Sequence, residues 1–163
     1  MALYKTESTL WEEAYSLWEM EGSEWSPTDA YENIIFDRIL GKLHALLTNE
    51  FFIPVYFDQH RGNQSFLIQL LGDSIEQTFH LGQDREYIIL IEHKLLSGGM
   101  FSRNQIKQVS ETYERVKRLL HNNVNYKAGW FYGRVESINT SRDDESLLSA
   151  IQFNCVSTEM SSN

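Results

Sequence analysis

The sequence predicts an α+β domain, an antiparallel or mixed β-sheet of about four to six strands with two main helices packed on one face and a helical arm at the N-terminus. Three observations predict it. Segments 26–48 and 102–121 repeat apolar residues every three or four positions behind helix-capping signals. Segments 51–96 and 130–157 are β-branched and aromatic runs broken by turn residues. The order is therefore helix, several strands, helix, two strands, and short turns between successive strands favour antiparallel neighbours with helices gathered on one side.

Residues 1–25 form a separate arm or accessory helix. They hold Glu7, Glu12, Glu13, Glu19, Glu21 and Glu24 against Lys5, and Trp11, Tyr15 and Trp18 at spacings of four and three share one helical face. Two readings of that face stand side by side, packing on its own domain or docking on a neighbouring subunit. The main domain, 26–160, opens with a helix start. Ser26 can cap, Pro27 suits a first helical position because its missing N–H has no partner there, and Asp29 favours the positive end of the helix dipole. Ile35, Ile39, Leu43, Leu46 and Leu47 are the expected buried stripe, and Asp37, Arg38 and Lys42 the wet side.

Residues 51–58 read as a short strand interrupted by Pro54, which is therefore an edge strand or begins after the proline, since proline cannot donate to a ladder. Residues 65–71 and 75–81 read as one ribbon crossed by a bulge at Gly72 and Asp73. Gly82, Gln83 and Asp84 are the expected turn into Tyr87, Ile88, Ile89, Leu90 and Ile91, whose unbroken apolar character marks a central strand covered on both faces. Ser97, Gly98 and Gly99 end the sheet segment, and Ser102 with Gln105 makes a capping box. Ile106, Val109, Tyr113, Val116 and Leu120 give the next helix its apolar face, and Asn122 and Asn123 are its expected left-handed stop. Strands at 130–138 and 148–157 close the chain around a polar loop, 139–146, and residues 161–163 fray. In the last strand Ile151, Phe153 and Cys155 face one way, Gln152 and Asn154 the other.

Composition narrows the function. At 163 residues, 42% hydrophobic and 13% aromatic, the chain can bury a core without disulfides or metal. A net charge of −9 is the opposite of the basic footprint that gripping nucleic acid requires. The single cysteine, Cys155, allows neither an internal disulfide nor a cysteine metal site and suits a reducing cytoplasm. No signal-peptide pattern and no membrane span of about 18 apolar residues is found.

Glu92, His93 and Lys94 are the sharpest catalytic candidate. A Glu-x-Lys pair ending a central strand resembles the PD-(D/E)xK nucleases, whose carboxylates hold Mg²⁺ while the lysine positions water. Asp73 or Asp84 would be the upstream acid, though neither follows a proline, and a salt-bridged or solvated strand end explains the pair more simply. His44, His60, His80, His93 and His121 show no metal-ligand spacing. No Gly-x-Ser-x-Gly elbow surrounds Ser74, Cys155 reads as a buried inert thiol, and Gly98-Gly99 lacks the Lys-Ser/Thr of a phosphate loop. No catalytic residue, metal or cofactor is expected.

The element order, together with the segment Arg142-Asp143-Asp144-Glu145-Ser146-Leu147-Leu148-Ser149-Ala150 leading into Phe153, Glu159 and Met160, resembles the tail terminator (tail-completion) proteins of long-tailed, lambda-type bacteriophages. The resemblance covers about residues 27–160. It implies a structural virion protein without enzymatic activity, a ring of like copies, hexameric in that family, at the head-proximal end of the tail. Its implied partners are the major tail tube protein and the head connector, with DNA passing through the lumen unbound and no membrane involved. Assembly would take place in the host cytoplasm. An acidic ring would repel passing phosphates. A closed ring needs two different patches per subunit, and the candidates are the Trp11, Tyr15 and Trp18 face and the sheet-edge aromatics Trp130 and Tyr132, while the 139–146 loop with Arg142, Asp143, Asp144 and Glu145 is the candidate for contact with the tube or the connector. A nuclease using Glu92 and Lys94, or an adaptor module with a foreign partner, are the alternatives.

Overall fold

A computed structural model describes residues 33–98, 102–127 and 129–160. The Trp11, Tyr15 and Trp18 face, the Ser26, Pro27 and Asp29 start signal, Gly99 and the 161–163 tail lie outside the described residues. What is described is a five-stranded mixed sheet with two helices. The strands are β1 (Val55–Tyr56), β2 (Gln64–Phe79), β3 (Gly82–Leu96), β4 (Tyr132–Arg142) and β5 (Ser146–Met160), arranged β1-β2-β3-β5-β4. β1 runs parallel to β2, and every other neighbouring pair is antiparallel. The helices are α1 (Gly41–Glu50), entered through a π-helical turn (Ile34–Leu40), and α2 (Arg103–Asn122).

Both helices cover the same face. Ile39, Leu43 and Leu47 from the first and Val116 and Leu120 from the second join Phe66, Ile68, Ile89, Ile91, Ile151 and Phe153 in one buried cluster. A row of isoleucines crosses four strands at one level, Ile68 beside Ile91, Ile91 beside Ile151 and Ile151 beside Ile138. Burying each such side chain is worth roughly 1.5–3 kcal/mol, so this row and the level above it (Leu70, Ile89, Phe153, Val135) anchor the sheet. β3 is central, as its apolar run predicts, but its coverage is one-sided. Tyr87, Ile89 and Ile91 are sealed while Ile88 and Leu90 are half-buried, because no described element lies over the second face.

The π-helical turn alters the predicted stripe. The N–H of Gly41 bonds to the carbonyl of Phe36, five residues back, which rotates the following positions relative to a regular helix. Ile35 is consequently exposed, and Ile34 packs on the core instead. Arg38 is not on the wet side: its guanidinium donates to Ser157 Oγ (3.1 Å) and to the Thr158 carbonyl (2.8 Å). Gly41 is required here, since a Cβ would lie 2.9 Å from the Phe36 carbonyl oxygen.

Further boundaries differ from the sequence reading. The β2–β3 hairpin turns at His80 and Leu81, two residues before the expected glycine, and Gly82 already pairs with Phe79. The ribbon is continuous through register shifts at Leu70/Gly72 and Ile75/Gln77, which confirms its predicted bulge and adds a second. The capping box at α2 is formed, with Gln105 N–H on Ser102 Oγ and Ser102 N–H on Gln105 Oε1, both 3.2 Å. Asn123 ends the helix without a left-handed backbone (φ −119°), through its side-chain amide, which donates to the Leu119 carbonyl. Ile106, assigned to the apolar face of α2, is 45% exposed, at a groove it lines with Thr140, Leu147 and Leu148 of the last two strands.

Candidate interaction surfaces

Six residues between 130 and 145 are interface candidates from the sequence, the sheet-edge aromatics Trp130 and Tyr132 and the loop residues Arg142, Asp143, Asp144 and Glu145, and the structure divides them. Trp130 precedes β4 and is 2% exposed. Its indole N–H donates to the Asn123 carbonyl (2.8 Å), and its ring meets Phe153 edge-on at 5.3 Å. Gly133 leaves the space for this, since a Cβ there would stand 2.6 Å from the Phe153 ring. Trp130 is therefore a core residue and not an interface aromatic. Tyr132, two positions on, is 47% exposed and keeps its place as a candidate, with Phe131 beside it.

The expected polar loop 139–146 is mostly strand. Asn139, Thr140, Ser141 and Arg142 pair with Ala150, Ser149, Leu148 and Leu147, leaving a turn of Asp143, Asp144 and Glu145. Polarity misled the reading: these side chains decorate an edge strand, where polar residues are tolerated on both faces. Asp143 holds the turn closed. Its carboxylate accepts from the N–H groups of Glu145 (2.9 Å) and Ser146 (2.8 Å) and from Ser146 Oγ (3.0 Å), and these bonds hold its pKa below the usual carboxylate range. The Glu145 carbonyl accepts from the N–H (2.7 Å) and the hydroxyl (3.1 Å) of Ser97, while the side chains of Arg142, Asp144 and Glu145 are exposed.

This turn closes one side of a polar hollow of about 210 Å³ that also contains His60, Glu92 and Lys94. The sequence pair is thus brought beside the turn. Its proposed third member is not. Asp73 lies opposite Tyr87, five positions down β3 from Glu92, and forms an ion pair with Arg85 at 2.8 Å. Asp84 lies farther still, buried and accepting from Gln77 (2.9 Å) and Thr158 (2.7 Å). Among the described residues no group of three histidine, cysteine, aspartate or glutamate side chains is arranged to hold a metal ion.

One arrangement was not anticipated. His60 Nδ1 sits 2.8 Å from Ser65 Oγ, and its Nε2 lies 3.4 Å from Glu92 Oε1. A hydroxyl, an imidazole and a carboxylate in a row is the shape of a nucleophile relay, and only the fold could reveal it, since His60 is in a loop and Glu92 is thirty-two positions away. Ser65 is 1% exposed, so its oxygen cannot meet a substrate. Burial pushes the His60 pKa down against the opposing pull of Glu92. The chain ties the loop before β2 to the central strand.

Cys155 is buried, and burial pushes its thiol up to about 12, which suits the inert role read from its strand position. Apolar surface gathers in two places. Phe36 and Phe57 (ring centroids 5.3 Å apart) lie half-exposed by β1 with His44 stacked on Phe57. Leu71, Ile75, Phe79 and Leu81 lie along the far half of the β2–β3 hairpin. Sequence reading missed both, because apolar residues in a β-run are assigned to the core by default.

These features define an α+β sheet protein with helices on one face, two unlike sheet margins and apolar side chains left at the surface. Neither a family model nor a curated protein matches the chain. No helix among the described residues is long and apolar enough to cross a membrane.

Proposed function

We propose that the protein is a phage tail terminator, a structural virion component whose copies close into a ring on the head-proximal end of the tail tube, stop its growth and offer the surface on which the head docks. The observation that carries the reading is the order of elements: helix, short strand, long antiparallel ribbon, helix and closing hairpin, the order on which the sequence resemblance rests. The unlike margins of the sheet support it, because a closed ring requires two different patches on each copy. The charge of −9 supports a lumen that phosphate passes without adhering.

The partners that follow are other copies, six in the ring if the resemblance extends that far, the major tail tube protein and the head connector. The protein would be found in the virion, and in the host cytoplasm before that. Catalysis has no part in this reading, and the separation of Asp73 and Asp84 from Glu92 weighs against the nuclease alternative. Electron microscopy of particles assembled without the protein tests it. Overlong, headless tubes are expected; tails of normal length and attachment would overturn it. Glu92→Ala and Lys94→Ala variants are expected to complement fully, whereas Mg²⁺-dependent DNA cleavage lost in either would favour the nuclease.

A further inference from the structure

The sheet has two margins, and each contains a stretch without a strand partner among the described residues. β1 covers β2 only at Phe66 and Leu67, so β2 is open from Ile68 outward. At the opposite margin β4 pairs with β5 and, among the described residues, with no other strand. An open margin presents a row of unpaired N–H and C=O groups, and proteins that must stay single blunt it with lysine or proline. Neither β2 nor β4 contains a lysine or a proline.

We infer that these two margins are the two halves of one interface, with β4 of each copy adding to the open part of β2 on the next copy. The inference rests on the ring reading and names the surface that would make the ring. Four features support a second copy as the occupant. The four long strands alternate in direction from β2 through β3 and β5 to β4. A copy set beside another in the same orientation therefore brings β4 antiparallel to β2, the pairing the rest of the sheet uses.

The margins also match in height. Tyr132 stands level with Val156, Glu86 and Ser74, and Ile138 is level with Ile151, Ile91 and Ile68. Seven residues of β4, Tyr132 to Ile138, thus face seven of β2, Ile68 to Ser74, and each stretch contains one bulge. Bulges bend strands, and a sheet that continues around a ring has to bend. Charge does not oppose the pairing: Asp73 is held by Arg85, and Arg134 by Glu86 and Glu136, so the two stretches meet without like-charge repulsion. Finally, the exposed apolar side chains Leu71 on β2 and Tyr132 on β4 lie in these stretches, where strand addition would cover them.

The test is a disulfide scan on the full chain, alone and with tube subunits. Ser137 is level with Gln69 across the sheet, through Gln152 and Leu90. Ser137→Cys is combined in turn with Gln69→Cys, Gly72→Cys and Ser74→Cys, which samples the level register and two staggered ones. Cys155 is buried and does not compete. Mild oxidation is expected to give a ladder of covalent multimers from at least one pair, collapsing to monomer on reduction and absent from each single variant. Native mass measured on the same samples separates the two ways to fail. Multimers of the proper mass with no ladder from any pair would overturn this interface and leave the ring standing. Monomer throughout, with tube subunits present, would overturn both.

Discussion

Both halves of β2 carry large apolar side chains, and these end in opposite situations. In the near half Phe66, Leu67 and Ile68 are sealed, and α1 and α2 close over this end of the sheet. In the far half Leu71 and Ile75 are each 55% exposed, Phe79 is 39% and Leu81 of the hairpin turn 49%. The near half is held by burial. The far half is held by the ladder to β3 and by polar ties, Arg85 to Asp73 and the Asp84 carboxylate to Gln77 and Thr158. Large apolar side chains left half-exposed side by side mark a candidate contact surface. Four variants, one of them double, compare what holds the fold with what the bare half leaves exposed, in order of the loss of stability expected.

Trp130→Ala should do the most damage, costing about 3–5 kcal/mol, the usual range for truncating a buried aromatic. It empties the space against Phe153 and leaves the Asn123 carbonyl without its indole donor. Thermal or urea unfolding reads this directly. A loss under 1 kcal/mol would mean that the packing of Trp130 on Phe153 does not anchor the core.

The buried histidine comes next. His93 is 3% exposed, with Gln64 Nε2 at 2.8 Å from its Nε2, and burial followed by the charge of His60 pushes its pKa down to about 4. The sign follows from which state takes the proton first. Above pH 6.5 the ring is neutral folded and unfolded, and its full contribution is present. As pH falls below 6.5 the unfolded chain is protonated while the folded chain is not, so stability declines until about pH 4. A shift of that size corresponds to roughly 3 kcal/mol across the window. Unfolding curves at pH 7, 5.5 and 4 should show the decline in the native chain and a flatter profile in His93→Gln.

A smaller effect is expected at the start of α2. Ser102→Ala removes the hydroxyl that accepts from Gln105 N–H and should cost about 1 kcal/mol. The site is exposed, so loss of the cap is separated from loss of packing. This element was fully legible in the sequence, because a capping box is a local pattern whose partners lie three residues apart. The strands were legible in part: alternation in β5 gave its core face, and the apolar run of β3 marked the central strand but not that only one of its faces is covered by described elements. Non-local facts were not legible. Trp130 and Tyr132 look alike in the chain, and what separates them is Gly133, whose missing side chain lets the indole in beside Phe153. Polar residues at 139–142 read as loop because nothing in their own pattern reveals that β5 lies alongside to pair with them. The His60 link to Ser65 and Glu92 joins residues from a loop and two strands, and composition does not indicate it.

The smallest effect on stability carries the most information about function. Leu71→Ser and Ile75→Ser, made together, remove two large apolar side chains that are more than half exposed. Surface changes away from any cap, cavity or buried network usually fall within about 0.5 kcal/mol, so the unfolding midpoint of the dilute chain should hardly move. Assembly should respond quite differently, since covering those side chains is a gain available only when copies meet. Sedimentation of the double variant beside the native chain, with tube subunits present, should show the multimer depleted and the monomer fold unchanged. If the variant assembles as well as the native chain does, the bare half of the hairpin is not a joining surface. If instead its unfolding midpoint collapses, these side chains serve the fold, and the contrast between the two halves of β2 is false.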